Sequence, residues 1–261
     1  MREAIVTFAN RQARTLVGDL GIPDGDGPHP AVLVIHGFRG NRGERHIQAV
    51  GDALVWSGFV SLRVDLTNNL GDSEGDFADL TVSQELDDAD DALNYLMARP
   101  EVDPARIGIT GHSLGGLVAA IAAARRPEIV CVVTLSAVFD MAPKLQKFLG
   151  ADQVASWRER GTVEMDPPGS GLLLKSAFYD DLLGLDVTRE IANLRAPLRI
   201  VQGGADSGVT EEDAGRYREH AGSTVKEVSV VGGADHSYSD DNHLMQVCLL
   251  TADWLRRHLM P

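Results

Sequence analysis

Arg106-Ile107-Gly108-Ile109-Thr110-Gly111-His112-Ser113-Leu114-Gly115-Gly116-Leu117-Val118-Ala119-Ala120 is the stretch on which the reading of this chain turns. Residues 106–110 read as a short buried strand, and residues 114–126 as an alanine-rich helix. A strand-to-helix turn this sharp crowds the backbone, so the positions around Ser113 demand residues without a large side chain. Gly111, Gly115 and Gly116 meet that demand. Such a turn projects the Ser113 hydroxyl from the carboxyl edge of a sheet, beside the free N–H groups and positive dipole end of a helix. A Gly-x-Ser-x-Gly spacing alone arises by chance. The strand before it and the helix after it give it meaning.

The same alternation continues outward in both directions. Strands are expected over 4–8, 15–20, 31–35, 59–64, 129–135, 198–201 and 226–231. Helices are expected over about 44–57, 81–98, 211–220 and 242–260. The first two strands suit an antiparallel pair at a sheet edge. Ala31-Val32-Leu33-Val34-Ile35 is the continuous apolar run of a strand covered on both faces. The pattern implies a mostly parallel sheet flanked by helices. Residues 138–196 break the rhythm and are too long for a plain connection. They hold Trp157, Phe178, Tyr179 and Pro167-Pro168-Gly169, and read as an inserted lid. The core is then 1–137 with 197–261.

A serine hydroxyl needs a base, and the base an orienting carboxylate. The strand at 198–201 runs into Gln202-Gly203-Gly204-Ala205-Asp206, and the strand at 226–231 into Gly232-Gly233-Ala234-Asp235-His236. Both loops open at the sheet edge that carries Ser113. Asp206 is the expected acid, with Asp213 and Asp186 as alternatives, and His236 the expected base, with His243 as alternative. The two N–H donors that acyl transfer requires for its developing oxyanion are expected from Leu114 and from Phe38, in the loop His36-Gly37-Phe38-Arg39-Gly40-Asn41. His112 must point away from Ser113. His46, His220 and His258 are expected at the surface. So are the acidic residues Glu85, Asp87, Asp88, Asp90 and Asp91. Met245 and Leu249 are expected in the core.

Composition narrows the partners. The 261 residues carry 24 Lys+Arg against 38 Asp+Glu, a net charge of −14. That surface repels phosphate backbones and anionic lipid, so no nucleic-acid or membrane partner is expected. Cys131 and Cys248 sit in apolar runs and make no disulfide framework. No CxxC or HExxH occurs, so neither metal nor cofactor is expected. The first residues lack the apolar core of a signal peptide, and the longest apolar stretch, 117–124, is far short of the roughly 20 residues of a membrane span. A cytoplasmic location is expected, and a homodimer is left open.

Four motifs carry a family likeness: His36-Gly37-Phe38-Arg39-Gly40-Asn41, Gly71-Asp72-Ser73-Glu74-Gly75-Asp76-Phe77, Gly111-His112-Ser113-Leu114-Gly115-Gly116 and Gly233-Ala234-Asp235-His236-Ser237-Tyr238-Ser239-Asp240. Thr81-Val82-Ser83-Gln84-Glu85-Leu86-Asp87-Asp88-Ala89 accompanies them. With these the chain resembles the α/β-hydrolase superfamily over essentially its whole length. More narrowly it resembles the cinnamoyl (feruloyl) esterase group, near the serine aminopeptidase-like hydrolases. The resemblance implies a Ser113, Asp206, His236 triad, an oxyanion hole at Phe38 and Leu114, and a lid whose Tyr179 binds substrate by holding its phenolic part. The expected activity is a serine carboxylesterase acting through an acyl-enzyme on small acyl or hydroxycinnamoyl esters. A serine peptidase or amidase is the alternative. It requires acidic lid residues, among Glu164, Asp166, Asp180 and Asp181, to hold a substrate ammonium.

Overall fold

The computed structural model describes residues 1–165 and 171–260. Asp166 and Pro167-Pro168-Gly169 lie outside the described residues. In chain order the strands are β1 (Arg2–Ala9), β2 (Thr15–Ile22), β3 (His29–Ile35), β4 (Val60–Asp65), β5 (Val102–His112), β6 (Ile129–Leu135), β7 (Thr162–Glu164), β8 (Leu173–Lys175), β9 (Leu198–Gly203) and β10 (Lys226–Val231). The helices are α1 (Arg45–Trp56), α2 (Val82–Met97), α3 (Leu114–Arg125), α4 (Met141–Leu149), α5 (Ala151–Arg160), α6 (Ala177–Gly184), α7 (Val187–Ala192), α8 (Glu211–His220) and α9 (Asp241–Leu259). A 3₁₀ turn spans Phe77–Asp79.

Eight strands form one sheet in the order β1-β2-β4-β3-β5-β6-β9-β10. β2 pairs antiparallel with β1 and with β4, and from β4 to β10 every neighbour is parallel. β3 shows why the central strands are apolar throughout. Val32 and Val34 face a core layer with Ile47, Leu54 and Trp254 of α1 and α9. Ala31, Leu33 and Ile35 face the opposite layer, with Leu86, Leu117 and Tyr217 of α2, α3 and α8. Each residue pair along the strand therefore serves two cores.

Between β6 and β9 the chain leaves the sheet for α4 to α7 and the antiparallel β7–β8 hairpin. Trp157, Phe178 and Tyr179 are buried there, while Phe148 is exposed. Met245 and Leu249 do not join the core: they are 62% and 64% exposed. The spacing that suggested burial belongs to a helix whose inward stripe is Leu244, Val247, Thr251, Trp254 and Leu255. Among the described residues no helix is long and apolar enough to cross a membrane.

Candidate active site

β5 delivers Ser113 by register. Gly111 pairs with Ile35 on one side and Thr134 on the other, so the strand is still fully hydrogen-bonded one step before the turn. Ser113 itself takes φ 55° and ψ −119°, a region a side-chain-bearing residue rarely enters. Such strain costs about 1–3 kcal/mol and persists only where the surroundings fix it. Here the fixing is steric. A Cβ on Gly115 would lie 2.0 Å from the His36 carbonyl oxygen, and one on Gly111 2.1 Å from that of Gly115. α3 can therefore pack against the β3 loop only through glycine.

The loops after β9 and β10 bring the partners. His236 Nδ1–H donates to Asp206 Oδ2 at 2.6 Å, and Ser113 Oγ–H donates to His236 Nε2 at 3.0 Å. The Asp206 side chain is fully buried. Its second oxygen accepts the N–H groups of Gly208 (3.0 Å) and Val209 (2.9 Å). Burial pushes this carboxyl up. The hydrogen bond and charge of His236 and the two backbone donors outweigh it, holding Asp206 below the ordinary aspartate range. As a carboxylate it accepts only, which fixes the tautomer of His236 and turns Nε2 toward the serine.

The loop after β3 closes on itself through Gly40 N–H to the Gly37 carbonyl (2.9 Å), with Arg39 at φ 60°. Phe38 sits at its tip. Neither the Phe38 nor the Leu114 N–H is engaged in a hydrogen bond among the described residues. Both belong to the segments that flank Ser113.

The mostly parallel sheet flanked by helices agrees with comparison to known proteins. A family described as BAAT / Acyl-CoA thioester hydrolase C terminal matches residues 85–217, about half of the chain, and the Dienelactone hydrolase family matches residues 16–138. The chain belongs to the α/β hydrolases, within the BAAT / Acyl-CoA thioester hydrolase C-terminal family. Similar to it is Esterase EstD of Thermotoga maritima, 27% identical over 88% of this chain and 58% of EstD. An uncharacterized 31.7 kDa Escherichia coli protein is 23% identical over 91% of this chain and 94% of its own length. Among solved structures, Est1E from Butyrivibrio proteoclasticus with ferulic acid bound superposes with a TM-score of 0.84 at 26% identity. That match covers 98% of this chain and 100% of Est1E.

In this α/β hydrolase the alternatives to the expected acid are occupied elsewhere. Asp213 closes a capping box at the start of α8 and accepts the Phe139 N–H at 3.0 Å. Asp186 caps α7. His36 ties the β3 loop to the end of β4: Leu66 N–H donates to its Nε2 (3.1 Å) and its Nδ1–H to the Gly37 carbonyl (2.9 Å). His46 is not at the surface. It is buried, with its ring 4.2 Å from that of His112. Burial, with the nearby positive charge of His236, pushes His46 down to about 4. Burial likewise lowers His36 and His112, so all three stay neutral around His236. The outward reading of the α2 acids fails at two positions. Glu85 and Asp88 are buried, and Asp88 accepts from Thr67 N–H (2.8 Å), Thr67 Oγ1 (2.5 Å), Asn10 Nδ2 (2.7 Å) and Gln84 Nε2 (2.9 Å). Asp87 and Asp90, and the more covered Asp91, gather around the exposed Arg11.

Tyr179 is only 6% exposed and packs its ring 5.8 Å from that of Trp157. The aromatic side chain that meets the Phe38 loop is Phe178, stacked on Phe38 at 5.3 Å, with Phe77 at 5.5 Å on the same ring. Sequence reasoning passed over Phe77, whose motif offered only a turn signal. It also passed over Ser136 and Tyr238. The Tyr238 hydroxyl donates to Ser136 Oγ (2.8 Å), which in turn accepts Gly203 N–H (3.2 Å), bracing the Asp206 and His236 loops together. The tyrosine two residues after His236 was the available signal.

Proposed function

We propose that the chain is a serine carboxylic-ester hydrolase that works through an acyl-enzyme on small acyl or hydroxycinnamoyl esters. The observation that carries this reading is the continuous Ser113–His236–Asp206 hydrogen-bond line of 3.0 and 2.6 Å. Ser113 Oγ attacks the ester carbonyl carbon while its proton passes to His236 Nε2. Asp206 stabilises the imidazolium. The carbonyl oxygen, now negative, rests against the Phe38 and Leu114 N–H groups. Collapse breaks the C–O bond, and His236 returns the proton to the departing alkoxide. Water repeats the sequence on the acyl-Ser113 ester and frees the acid.

Residues 138–196 act in this reading as a lid over the core formed by 1–137 and 197–261. Buried Phe178 backs the half-buried Phe38 ring of the oxyanion loop, an apolar face suited to an aromatic acyl group. The bound ferulic acid of Est1E supports the hydroxycinnamoyl class, and Tyr179 is the proposed partner of a substrate phenol. The amidase reading finds less support. Asp181 is taken up by Ser83 N–H (2.9 Å) and Ser83 Oγ (2.5 Å), Asp180 by Arg158 (2.9 Å), and Glu164 accepts Gly171 N–H (2.8 Å). A polyanionic thioester carrier would meet a net charge of −14.

Fluorophosphonate labelling, followed by a panel of p-nitrophenyl esters and methyl hydroxycinnamates, tests the proposal. Labelling at Ser113 with turnover of esters above anilides is expected. Failure of Ser113 to label, or anilides turned over faster than esters, rejects it.

A further inference from the structure

The base is gripped twice by adjacent residues. Ser113 meets the ring of His236 at Nε2, and His112 Nε2–H donates to the main-chain carbonyl of His236 at 2.7 Å. His112 and Ser113 are consecutive, the last residue of β5 and the residue that caps α3. Both side chains end on one residue more than 120 positions away. The loop between β10 and α9 that bears His236 has few other such ties to the sheet. Ala205 N–H donates to the Ala234 carbonyl (2.9 Å), and Tyr238 reaches Ser136. Neither touches His236 itself.

We infer that His112 is a positioning residue, which sets the height of His236 over Ser113 by holding the base's own carbonyl. The inference rests on the reading of Ser113 as nucleophile. A carbonyl oxygen only accepts, so His112 must keep its proton on Nε2. Its surroundings disfavour a second proton on the ring. The His46 ring of α1 lies 4.2 Å away, the His236 ring 4.6 Å and the Tyr238 ring 6.0 Å, with His36 also nearby. Any second positive charge here would oppose the imidazolium that His236 becomes during acyl transfer. A neutral donor is therefore the form that serves the reaction. Because the strained Ser113 is rigid, an error in the height of the base cannot be absorbed from the serine side.

The test is a set of substitutions at His112 beside Ser113→Ala. His112→Phe keeps ring volume and removes the donor. It should lower kcat by about 10- to 100-fold with KM unchanged, the size of loss a misplacement near 1 Å produces. Fluorophosphonate labelling should slow by the same factor. His112→Gln places an amide N–H close to the position of the imidazole Nε2 and should recover most of the rate. His112→Asn ends one bond short and should not. The Gln and Asn pair decides the matter even if the Phe variant does not fold. A Phe variant within about twofold of the parent kcat per folded molecule, or Gln no better than Asn, overturns the inference. If Ser113→Ala itself keeps turning over esters, the nucleophile reading fails, and that failure is visible separately from any result at His112.

Discussion

The carboxyl edge of the sheet and the excursion between β6 and β9 are built differently. At the edge, Ser113, Asp206 and His236 arrive from loops that directly follow β5, β9 and β10, and each is fixed by backbone contacts on more than one side. Among the described residues the excursion consists of helices of 6 to 10 residues and an antiparallel pair of three-residue strands, packed around Trp157, Phe178 and Tyr179. It meets the site loop through Phe178 on Phe38 and through the Arg39 guanidinium on the Met165 carbonyl (2.9 Å). The excursion is also tied to the core by Ser83–Asp181, Lys175–Asp79, Arg125–Glu190 and Lys144–Asp213. In the proposed reading the edge makes and breaks bonds and the excursion chooses the substrate. Mutations should therefore divide into those that abolish all ester turnover and those that change only the ratio between esters.

The largest effects belong to the edge. Ser113→Ala should reduce ester turnover by about 10⁶-fold with unchanged melting temperature, since the side chain is removed from a turn that needs no group larger. Residual activity above a tenth of the parent breaks the assignment. Asp206→Asn should cost about 10⁴-fold, because an amide cannot hold His236 in the same tautomer. Asp213→Asn supplies the contrast. It should leave kcat nearly intact and lower stability by about 1 kcal/mol through the α8 cap. If the two aspartates exchange these outcomes, the acid has been misplaced.

Much of the edge could be read directly from residues. Gly111, Gly115 and Gly116 announce the elbow because a Cβ on them would lie 2.0–2.5 Å from the Gly115 and His36 carbonyl oxygens and the Ala137 Cβ. Asp206 and His236 follow apolar runs of strand length, and position after a parallel strand dictates the edge they reach. Burial of single titratable groups was not legible. His46, Glu85 and Asp88 lie on helices whose polar positions looked outward by spacing. Their burial depends on distant residues folding over them, His112 on His46, Asn69 on Glu85, and Asn10 and Thr67 on Asp88, a long-range event with no local signal. The excursion was legible only as an interruption. Its short helices carry no long periodicity, and which aromatic ring faces the site is decided by tertiary packing.

Tyr179 tests the other side of the comparison. Its ring packs on Trp157, and in the proposed reading its hydroxyl meets a substrate phenol. Tyr179→Phe should lower kcat/KM on methyl hydroxycinnamates by about 5- to 100-fold, the cost of one hydrogen bond in a dry site. Hydrolysis of p-nitrophenyl acetate should hardly change. The ratio of the two rates is the measurement, because a loss of folded protein cancels in it. An unchanged ratio leaves the esterase reading standing and removes the phenolic substrate.

The smallest effect concerns the seam between the two regions, where α2 meets α6 through Ser83 and Asp181. Glu85 is buried just inside this seam. Burial pushes its carboxyl from the ordinary 4.5 to about 8, against the hydrogen bond from Asn69 Nδ2 (3.0 Å) and with help from the charges of Asp88 and Asp181. Glu85 Oε2 and Asn69 Oδ1 have no partner among the described residues, so a protonated carboxyl adds a donor where one is lacking. The sign follows from linkage. Between about 4.5 and 8 the unfolded chain has released a proton that the folded chain keeps. Raising the pH through that window therefore favours unfolding, and the contribution of this group is fully present only below the unfolded value. Glu85→Gln keeps the acceptor for Asn69 and removes the titration. Its melting temperature relative to the parent should rise as the pH goes from about 5 to about 8, by roughly 2–4 °C for each kcal/mol in a chain of this size. Parallel curves for the two proteins would mean that Glu85 is already ionised when folded. A shift in the hydroxycinnamate-to-acetate ratio at about pH 8 would break the comparison itself, because it would make the seam a route by which the framework sets substrate choice.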